Sequence, residues 1–207
     1  MKSVDPNLMT NLRGTRDNGV SPVLFFWIVP KDRDTDAIEP IGFWSGDEDI
    51  TVTVELPQGG FASRVYLGGV GLQSDVIEYT AELLDNPVTV SVSQLADAVQ
   101  QTIRGWDPRL AYCEIHKTSR IGGAFSSVPQ IEWVGIVDDV VVDTPEAGGQ
   151  GRIGLEVRSE IMSQLTTINP ARSSDTHQKR RRENDGFSRY SGIIGSRKQS
   201  WYYKKEE

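Results

Sequence analysis

The sequence predicts a mainly β fold, either a β-sandwich or a partly closed barrel, with one inserted helix and extended N- and C-terminal arms. Three observations support this fold class. Short segments rich in β-branched and aromatic residues recur along the chain. Glycine pairs and an Asn-Pro dipeptide separate these segments as turns do. Only one segment places apolar residues at the three- and four-residue spacing of a helix.

The strands predicted before the helix lie at residues 23–29, 50–54, 64–67, 76–84 and 88–92. The first is an apolar run between Pro22 and Pro30, which is typical of a buried strand. The second alternates apolar and polar side chains, which indicates an antiparallel sheet with two different faces. The last two are expected to pair through the turn at Asn86-Pro87.

The one predicted helix covers residues 93–104. Ser93 is expected to cap its N-terminus, and Gly105 stands where a helix ends. The stripe expected to face the core consists of Leu95, Ala98, Val99, Thr102 and Ile103. A single helix within a β domain is expected to be a crossover connection between strands.

Further strands are predicted after the helix, at residues 110–117, 131–142 and 152–158. Asp138-Asp139 interrupts the second of these and indicates a β-bulge. In the third, Ile153, Leu155 and Val157 alternate with charged residues. We therefore expect one β-rich domain at 22–160, between an N-terminal arm at 1–21 that is mobile or ordered by a partner and a C-terminal arm at 161–207.

Charge is divided unequally along the chain, whose net charge is −7 and whose isoelectric point is about 5.0. Residues 1–150 hold ten Lys and Arg against twenty-two acids, a net charge of −12. Residues 171–205 hold ten against three, a net charge of +7. The rings of this basic stretch, at Phe187, Tyr190, Trp201, Tyr202 and Tyr203, stand among residues too polar to form a core. They need another surface to bury them.

We therefore expect the C-terminal arm to bind neighbouring subunits. The expected interface residues are Arg172, Asp175, Gln178, Lys179, Arg180, Arg181, Arg182, Phe187, Tyr190 and Trp201. Two alternatives remain, in which the arm folds back on its own acidic body or stays disordered. The basic run at 179–182 beside aromatic residues also permits nucleic-acid binding. The acidic body argues against that reading, because it repels phosphate.

No catalytic, cofactor or metal site is expected. Asp32, Asp34 and Asp36 resemble the start of a calcium-binding loop, but the sixth and twelfth positions lack the glycine and the glutamate that such a loop needs. His116 and His177 have no neighbouring Cys or His to complete a metal shell. The sequence contains no motif that pairs a nucleophile with a base, so we expect that the protein is not an enzyme.

Location and redox state are also suggested by the sequence. Cys113 is the single cysteine, so no disulfide can form within the chain, and it is expected in a predicted strand as a small side chain that is either buried or at an edge. The longest apolar run, at 23–29, is far shorter than the roughly 20 residues that span a bilayer. The N-terminus has no apolar signal segment. We expect the protein to be made in a cytoplasm, without a membrane partner.

The order of several motifs is informative. The chain places in sequence Phe43-Trp44-Ser45-Gly46, Tyr66-Leu67-Gly68-Gly69-Val70-Gly71, the predicted helix, Trp133-Val134-Gly135-Ile136-Val137-Asp138-Asp139-Val140 and Leu155-Glu156-Val157-Arg158-Ser159-Glu160. The closing motifs are Arg172, Ser174-Asp175, Gln178, Asp185-Gly186-Phe187, Tyr190 and Trp201. This order resembles that of the tail-tip hub and distal-tail proteins of long-tailed bacteriophages and gene transfer agents, over about residues 22–203.

Two features depart from the pattern of that family. Ser174 stands where threonine is usual, and the basic run at 179–182 precedes the Asp-Gly group. The cysteine-rich domain of some hub relatives is missing, so an iron–sulfur cluster is excluded.

The resemblance implies a structural role. The β domain would sit in a ring at the distal end of the tail tube of a virion and join the tube or distal-tail ring to the central fibre or spike protein. Rings of three copies are expected, with six as the alternative. Other tail proteins would be the partners, with the tape-measure protein as a further candidate, and assembly would take place in the host cytoplasm. A soluble adaptor that binds nucleic acid or an acidic partner through the basic arm is the alternative from another class.

Overall fold

Strands make up 49% of the chain and helices 16% in the computed structural model, which describes residues 4–78, 86–144, 151–160 and 174–194. The predicted mainly β fold is therefore confirmed. The chain forms two compact units, Met1–Thr166 and Thr167–Glu207. All the described strands belong to the first unit.

The described helices of the first unit are α1 (Pro6–Arg13), α2 (Thr15–Asn18) and α3 (Asp97–Gly105), and those of the second are α4 (Asp175–Arg181) and α5 (Ser191–Ile194). The strands are β1 (Ser21–Asp32), β2 (Ile41–Trp44), β3 (Ile50–Glu55), β4 (Phe61–Tyr66), β5 (Gln73–Ser74), β6 (Val88–Ser93), β7 (Trp106–Ile121), β8 (Ala124–Phe125), β9 (Gln130–Asp143) and β10 (Arg152–Ser159).

Eight strands form one antiparallel sheet, in the order β2-β1-β7-β9-β10-β6-β5, with β8 paired to the end of β7. This sheet is curled into a half-barrel, which is the partly closed form that the sequence predicts. The remaining two described strands, β3 and β4, pair with each other as a separate hairpin.

The larger core lies on the concave face of the curled sheet. Phe26 and Ile28 of β1, Val90 of β6 and Leu155 of β10 are each at most 2% exposed and belong to one apolar cluster. Because β1 and β6 are far apart in the strand order, their side chains share a cluster only if the sheet curls around them. Val99 of α3 joins this cluster, so the helix completes the same core.

A second core lies between the opposite, convex face of the sheet and the β3–β4 hairpin. Phe25, Trp44, Val54 and Tyr66 are each at most 2% exposed and pack together there. The ring centroids of Phe25 and Tyr66 lie 5.0 Å apart in an edge-to-face contact. A Cβ atom at Gly42 of β2 would lie 2.6 Å from Tyr66 Cδ1, so only glycine allows this close approach of the hairpin.

Strand β1 therefore has a core on each of its faces. Phe25 faces the hairpin, whereas Phe26 faces the concave core. This two-sided burial explains why residues 23–29 form a continuous apolar run instead of an alternating pattern.

Most strand predictions are confirmed. Six predicted segments lie within observed strands: 23–29, 50–54, 88–92, 110–117, 131–142 and 152–158. The predicted bulge is found at Asp138, because Glu156 pairs with Asp139 whereas Val157 pairs with Val137. The strand predicted at 64–67 corresponds to the second half of β4. The observed strand ends at Tyr66, one residue before the predicted end.

The helix begins four residues later than predicted, at Asp97. Ser93 cannot cap it, because Ser93 ends β6 and pairs with Arg152 of β10. Leu95 was expected to face the core but is 78% exposed, whereas Val99 is buried as predicted. The side chains of Ala98, Thr102 and Ile103 lie outside the described part of the structure.

The strand predicted at 76–84 is wrong where the structure describes it. Residues 76–78 are outside any strand, and 79–84 lie beyond the described ranges. β6 pairs with β10 on one edge and with Gln73 and Ser74 of β5 on the other. Continuing the register of β5 along β6 would set Ile77 opposite Pro87, which has no backbone N–H group to donate, so the pairing stops after β5, and Val76 is 85% exposed.

The segment predicted as an N-terminal arm contains a helix fixed to the sheet. The Asp5 carboxylate accepts hydrogen bonds from two backbone N–H groups of the first turn of α1, and Pro6 needs no such partner. Asp5 N also donates to Gln130 Oε1 at 2.9 Å, and Asn11 Nδ2 donates to Ser119 Oγ at 2.5 Å. Within residues 4–18, the segment therefore packs on its own unit, whereas we expected an arm that is mobile or ordered by a partner.

Two side chains singled out in the sequence lie near the concave core. Cys113 is fully buried in β7, as predicted. Trp133 of β9 is half-buried and packs against the edge of the same core. It contributes to the core from its border.

Two phenylalanines provide a matched test of this architecture. Phe26→Ala should lower the free energy of unfolding by about 3–5 kcal/mol, because it removes a fully buried ring and leaves a cavity. Phe61→Ala, at a side chain that is 66% exposed, should change it by no more than about 0.5 kcal/mol. Urea unfolding of both variants measures the difference, and equal losses would contradict the placement of the two rings.

Candidate subunit-interaction surface

Helix α4 carries most of the basic residues predicted to lie at an interface. Ser174 precedes it in extended conformation, and its Oγ accepts a hydrogen bond from His177 N at 3.3 Å. Asp175 lies in the first turn, and the last turn is basic, so both charges suit the helix dipole. The cap and the end charges therefore favour a helix at this position, and none of its residues is fully buried.

The predicted interface residues of α4 are placed as follows. Asp175 accepts a hydrogen bond from Lys179 Nζ at 2.6 Å, one helical turn later. Gln178 is half-buried. Lys179, Arg180 and Arg181 are exposed, as is Arg182 at the helix end, so four consecutive basic side chains face solvent.

After α4 the chain makes a series of tight turns that expose apolar side chains. Backbone hydrogen bonds join residues three apart, from Arg189 N to Gly186 O, from Ser191 N to Ser188 O and from Ile193 N to Tyr190 O. Phe187, Tyr190 and Ile193 follow the same three-residue period, and they are 90%, 61% and 54% exposed.

We name residues 179–182 together with Phe187, Tyr190 and Ile193 the basic–apolar surface. Large exposed apolar side chains beside arginines are typical of protein interfaces, where aromatic residues and arginine contribute most of the binding free energy. The chemical complement of such a surface is an apolar recess with an acidic border.

Eight of the ten predicted interface residues lie in the described structure, all on α4 or in the turns after it. Arg172 and Trp201 lie outside the described residues, as do Tyr202 and Tyr203. The sequence interpretation missed Ile193. Its spacing of three residues from Tyr190 was the available signal.

A buried ion pair in the first unit was also missed. Arg64 of β4 and Glu114 of β7 meet through two hydrogen bonds, at 2.5 Å from Nη1 to Oε2 and 3.4 Å from Nη2 to Oε1. The side chains are 13% and 4% exposed. The guanidinium lies 4.5 Å from the centre of the Trp27 ring. Burial acts to lower the pKa of Arg64, but the hydrogen bond and charge of Glu114 outweigh it and raise that pKa.

His116 extends this cluster on the same face of β7. Its Nε2 lies 3.4 Å from Glu114 Oε2 and donates to the backbone oxygen of Glu55, at 2.9 Å. Glu55 ends β3, so the imidazole links the hairpin to the sheet. Burial raises the pKa of Tyr66, beside Arg64, to about 12. We infer that the cluster fixes the hairpin in place.

Only part of this cluster was visible in the sequence. Glu114 and His116 are two residues apart in a predicted strand and therefore share a face, which was a usable signal. Arg64 is fifty positions from Glu114, and no local pattern joins them.

The acidic turn that imitates a calcium loop has a simpler local explanation. Asp32 Oδ1 accepts hydrogen bonds from Asp34 N at 2.9 Å and from Thr35 N at 2.8 Å. The hydrogen bonds from Thr35 and Asp34 lower the pKa of Asp32. The aspartate therefore closes a tight turn through its own side chain.

The described residues contain no group of three or more His, Cys, Asp or Glu side chains placed to hold a metal ion. None of their helices is long and apolar enough to cross a membrane. Burial raises the pKa of the Cys113 thiol, so it stays protonated at neutral pH.

Comparison with known proteins adds no relative. No protein-family model matches this chain, and no curated protein sequence matches it.

The ion pair can be tested against an exposed one. Glu114→Gln should lower the free energy of unfolding by about 3–5 kcal/mol, because the buried Arg64 charge loses its counter-charge. Asp139→Asn is the matched control. Its pair with Arg109 is 3.0 Å long, but the side chains are 48% and 63% exposed, so we expect a loss of about 0–1 kcal/mol.

Urea unfolding of the two single variants measures both losses. The double variant Arg64→Met with Glu114→Gln should recover part of the stability lost in Glu114→Gln, since no unpaired charge remains. A loss at Glu114 no larger than that at Asp139 would show that the pair is solvated.

Proposed function

We propose that this protein is a structural component of a bacteriophage tail tip. It forms part of a hub or baseplate ring and joins the distal end of the tail tube to the central fibre or spike protein. Three copies per ring are favoured, and a sixfold distal-tail ring is the alternative. The role needs no catalysis, cofactor or metal ion, and places the protein in the virion after assembly in the host cytoplasm.

One observation carries this proposal. Phe187, Tyr190 and Ile193 remain exposed in a single copy, directly after four exposed basic residues, on a chain whose body is acidic. Side chains of this size contribute about 1.5–3 kcal/mol each when fully buried. Another subunit of an assembly is the natural source of the surface that buries them.

The first unit also suits an assembly component. Its curled sheet has a core on each face, and the hairpin over the convex face is held by a buried ion pair. A ring component must keep its shape while neighbouring subunits pull on its edges, and two-sided burial of β1 and β7 provides that rigidity. The order of motifs along residues 22–203 gives independent support.

A second candidate is a soluble adaptor that binds nucleic acid or an acidic partner. The observation in its favour is the exposure of all four basic side chains at 179–182. Binding of this kind loses affinity steeply as salt rises, because phosphate contacts release counterions. Three apolar side chains beside the basic run favour a protein partner instead.

Copurification separates the two functions. Expressed with the other tail genes of its phage, a tail component should sediment with tail particles and remain bound at about 0.5 M salt, where the Debye length is only a few ångströms. An adaptor should leave the particles and bind DNA at low salt. Absence from the particles together with strongly salt-dependent DNA binding would overturn our proposal.

Assembly should depend on the apolar side chains more than on charge. Phe187→Ala combined with Tyr190→Ala should weaken incorporation into tails by about 2 kcal/mol or more per ring, since buried aromatic residues dominate interfaces. Arg180→Gln combined with Arg181→Gln should weaken incorporation by only about 0–1 kcal/mol for each exposed ion pair that it removes. Quantitative mass spectrometry of purified tails measures both.

Removal of residues 172–207 should leave a folded first unit that does not enter tails, because the described strands and both cores lie before residue 167. Circular dichroism checks that the truncated protein is folded. Normal incorporation of the truncated protein would exclude the C-terminal arm as the interaction element.

A further inference from the structure

A cleft of about 500 Å³ opens between the two margins of the curled sheet. Leu24 of β1 and Lys117 of β7 form one wall, with Glu132 of β9 beside them. Asp75, Val76 and Ile77, which follow β5, form the opposite wall. Leu24 and Ile77 pack against the concave core, so the floor of the cleft continues the apolar interior of the unit. A recess of this volume is large enough to enclose a ligand or a few side chains.

The border of this cleft is acidic. Asp75 and Glu132 line it, and among the described lining residues Lys117 is the one basic side chain. Two carboxylates against one ammonium group give the described lining a net negative charge, which attracts cations and disfavours phosphate. Exposed acids also follow two of the lining residues along the chain, at 47–49 after Ser45 and at Glu78 after Ile77.

The cleft wall carries an exposed apolar side chain at Val76. Val76 is 85% exposed, although it lies between Asp75 and the half-buried Ile77. An exposed valine beside an apolar floor offers contact area to an incoming apolar side chain. The cleft thus combines an apolar floor with an acidic border.

An apolar floor with an acidic border is the chemical complement of the basic–apolar surface. Its basic residues at 179–182 match the acidic border in charge, and Phe187 and Tyr190 match the apolar floor in polarity. The whole chain shows the same division, with net charges of −12 over residues 1–150 and +7 over 171–205. Charge complementarity of this kind orients partners and suppresses binding to the wrong surface.

We propose that the cleft receives the basic–apolar surface of a second copy of this chain. This inference rests on the proposed function and names the contact between neighbouring subunits of the ring. Phe187 and Tyr190 enter the cleft, and the basic residues at 179–182 lie along its acidic border. The contact joins two different surfaces, so each copy binds the next in a head-to-tail manner, which closes a ring when the rotation between copies allows it.

Disulfide trapping tests this contact on full-length protein. Two separate variants are prepared: one carries Val76→Cys on the cleft wall, and the other carries Ser191→Cys, next to Tyr190. One of them also carries a tag, so that a mixed dimer differs in mass from either homodimer. The native Cys113 is fully buried and does not compete. Mixed and oxidised in low salt, the two variants should form a mixed dimer, because a disulfide requires Cα atoms within about 7 Å.

Val141→Cys is the matched control for Val76→Cys. Val141 is 56% exposed, but it lies on β9 nine residues from Glu132, roughly 30 Å away along the strand. The mixed dimer should be at least about tenfold more abundant with Val76→Cys than with the control. Adding Phe187→Ala and Tyr190→Ala to the Ser191→Cys chain should lower its yield by at least about tenfold. Raising the salt to about 1 M should lower it as well.

Two results would overturn the inference. One is a mixed-dimer yield that is the same for Val76→Cys and Val141→Cys. The other is a chain carrying both Val76→Cys and Ser191→Cys that closes on itself as a cross-linked monomer, which would show that the surface occupies its own cleft.

Failure of this inference differs from failure of the proposed function. If the chain copurifies with tails but the mixed dimer does not form, the ring contact lies elsewhere and the tail role stands. If the dimer forms but the chain never enters tail particles, self-association is real and the tail role falls.

Discussion

The burial of β1 on both faces is the constraint on which the first unit depends. A strand with a core on each side needs apolar residues at every position, and residues 23–29 supply them. The concave core then requires the sheet to curl until β6 and β10 reach the side chains of Phe26 and Ile28. The convex core requires a cover, which the β3–β4 hairpin provides through Tyr66 and Val54. Remove either layer, and half of the β1 side chains would face water.

The same constraint explains the one costly feature of the interior. β7 lies beside β1, so the side chains of its convex face are also covered by the hairpin, and two of these are Glu114 and His116. A buried carboxylate is tolerated only with a partner. Arg64, which projects from the hairpin, supplies it, and His116 holds the end of β3 through Glu55. These ionic and hydrogen-bonded groups thus fix the position of the hairpin on an otherwise apolar layer. Apolar contacts alone are less directional and would define that position less sharply.

The local sequence pattern correctly predicted the elements whose structure depends mainly on their own residues. The bulge at Asp138 and the alternation of Ile153, Leu155 and Val157 needed only the residues in the strand itself. The failures involve residues outside the predicted segment. The predicted helix start at Ser93 was wrong because Ser93 pairs with Arg152 in the sheet. The strand predicted at 76–78 was wrong because the register of β5 on β6 would set Ile77 opposite Pro87, which has no N–H group to donate. The Arg64–Glu114 pair depends on a register that no single segment specifies, whereas composition and charge were enough to single out the basic residues that α4 leaves exposed.

The two units thus handle apolar and charged groups in opposite ways. The first encloses most of its rings in two cores and pairs the buried Arg64 with Glu114. In the second, α4 has a serine cap and end charges that suit its dipole, none of its residues is fully buried, and Phe187 and Tyr190 stay in solvent. This unit therefore leaves its basic residues and the following rings open to a partner. Its charges would guide the approach of a partner, and its rings would hold the partner once water is excluded. Guidance by charge and retention by apolar contact together explain why a segment with so little core of its own carries both basic residues and exposed rings.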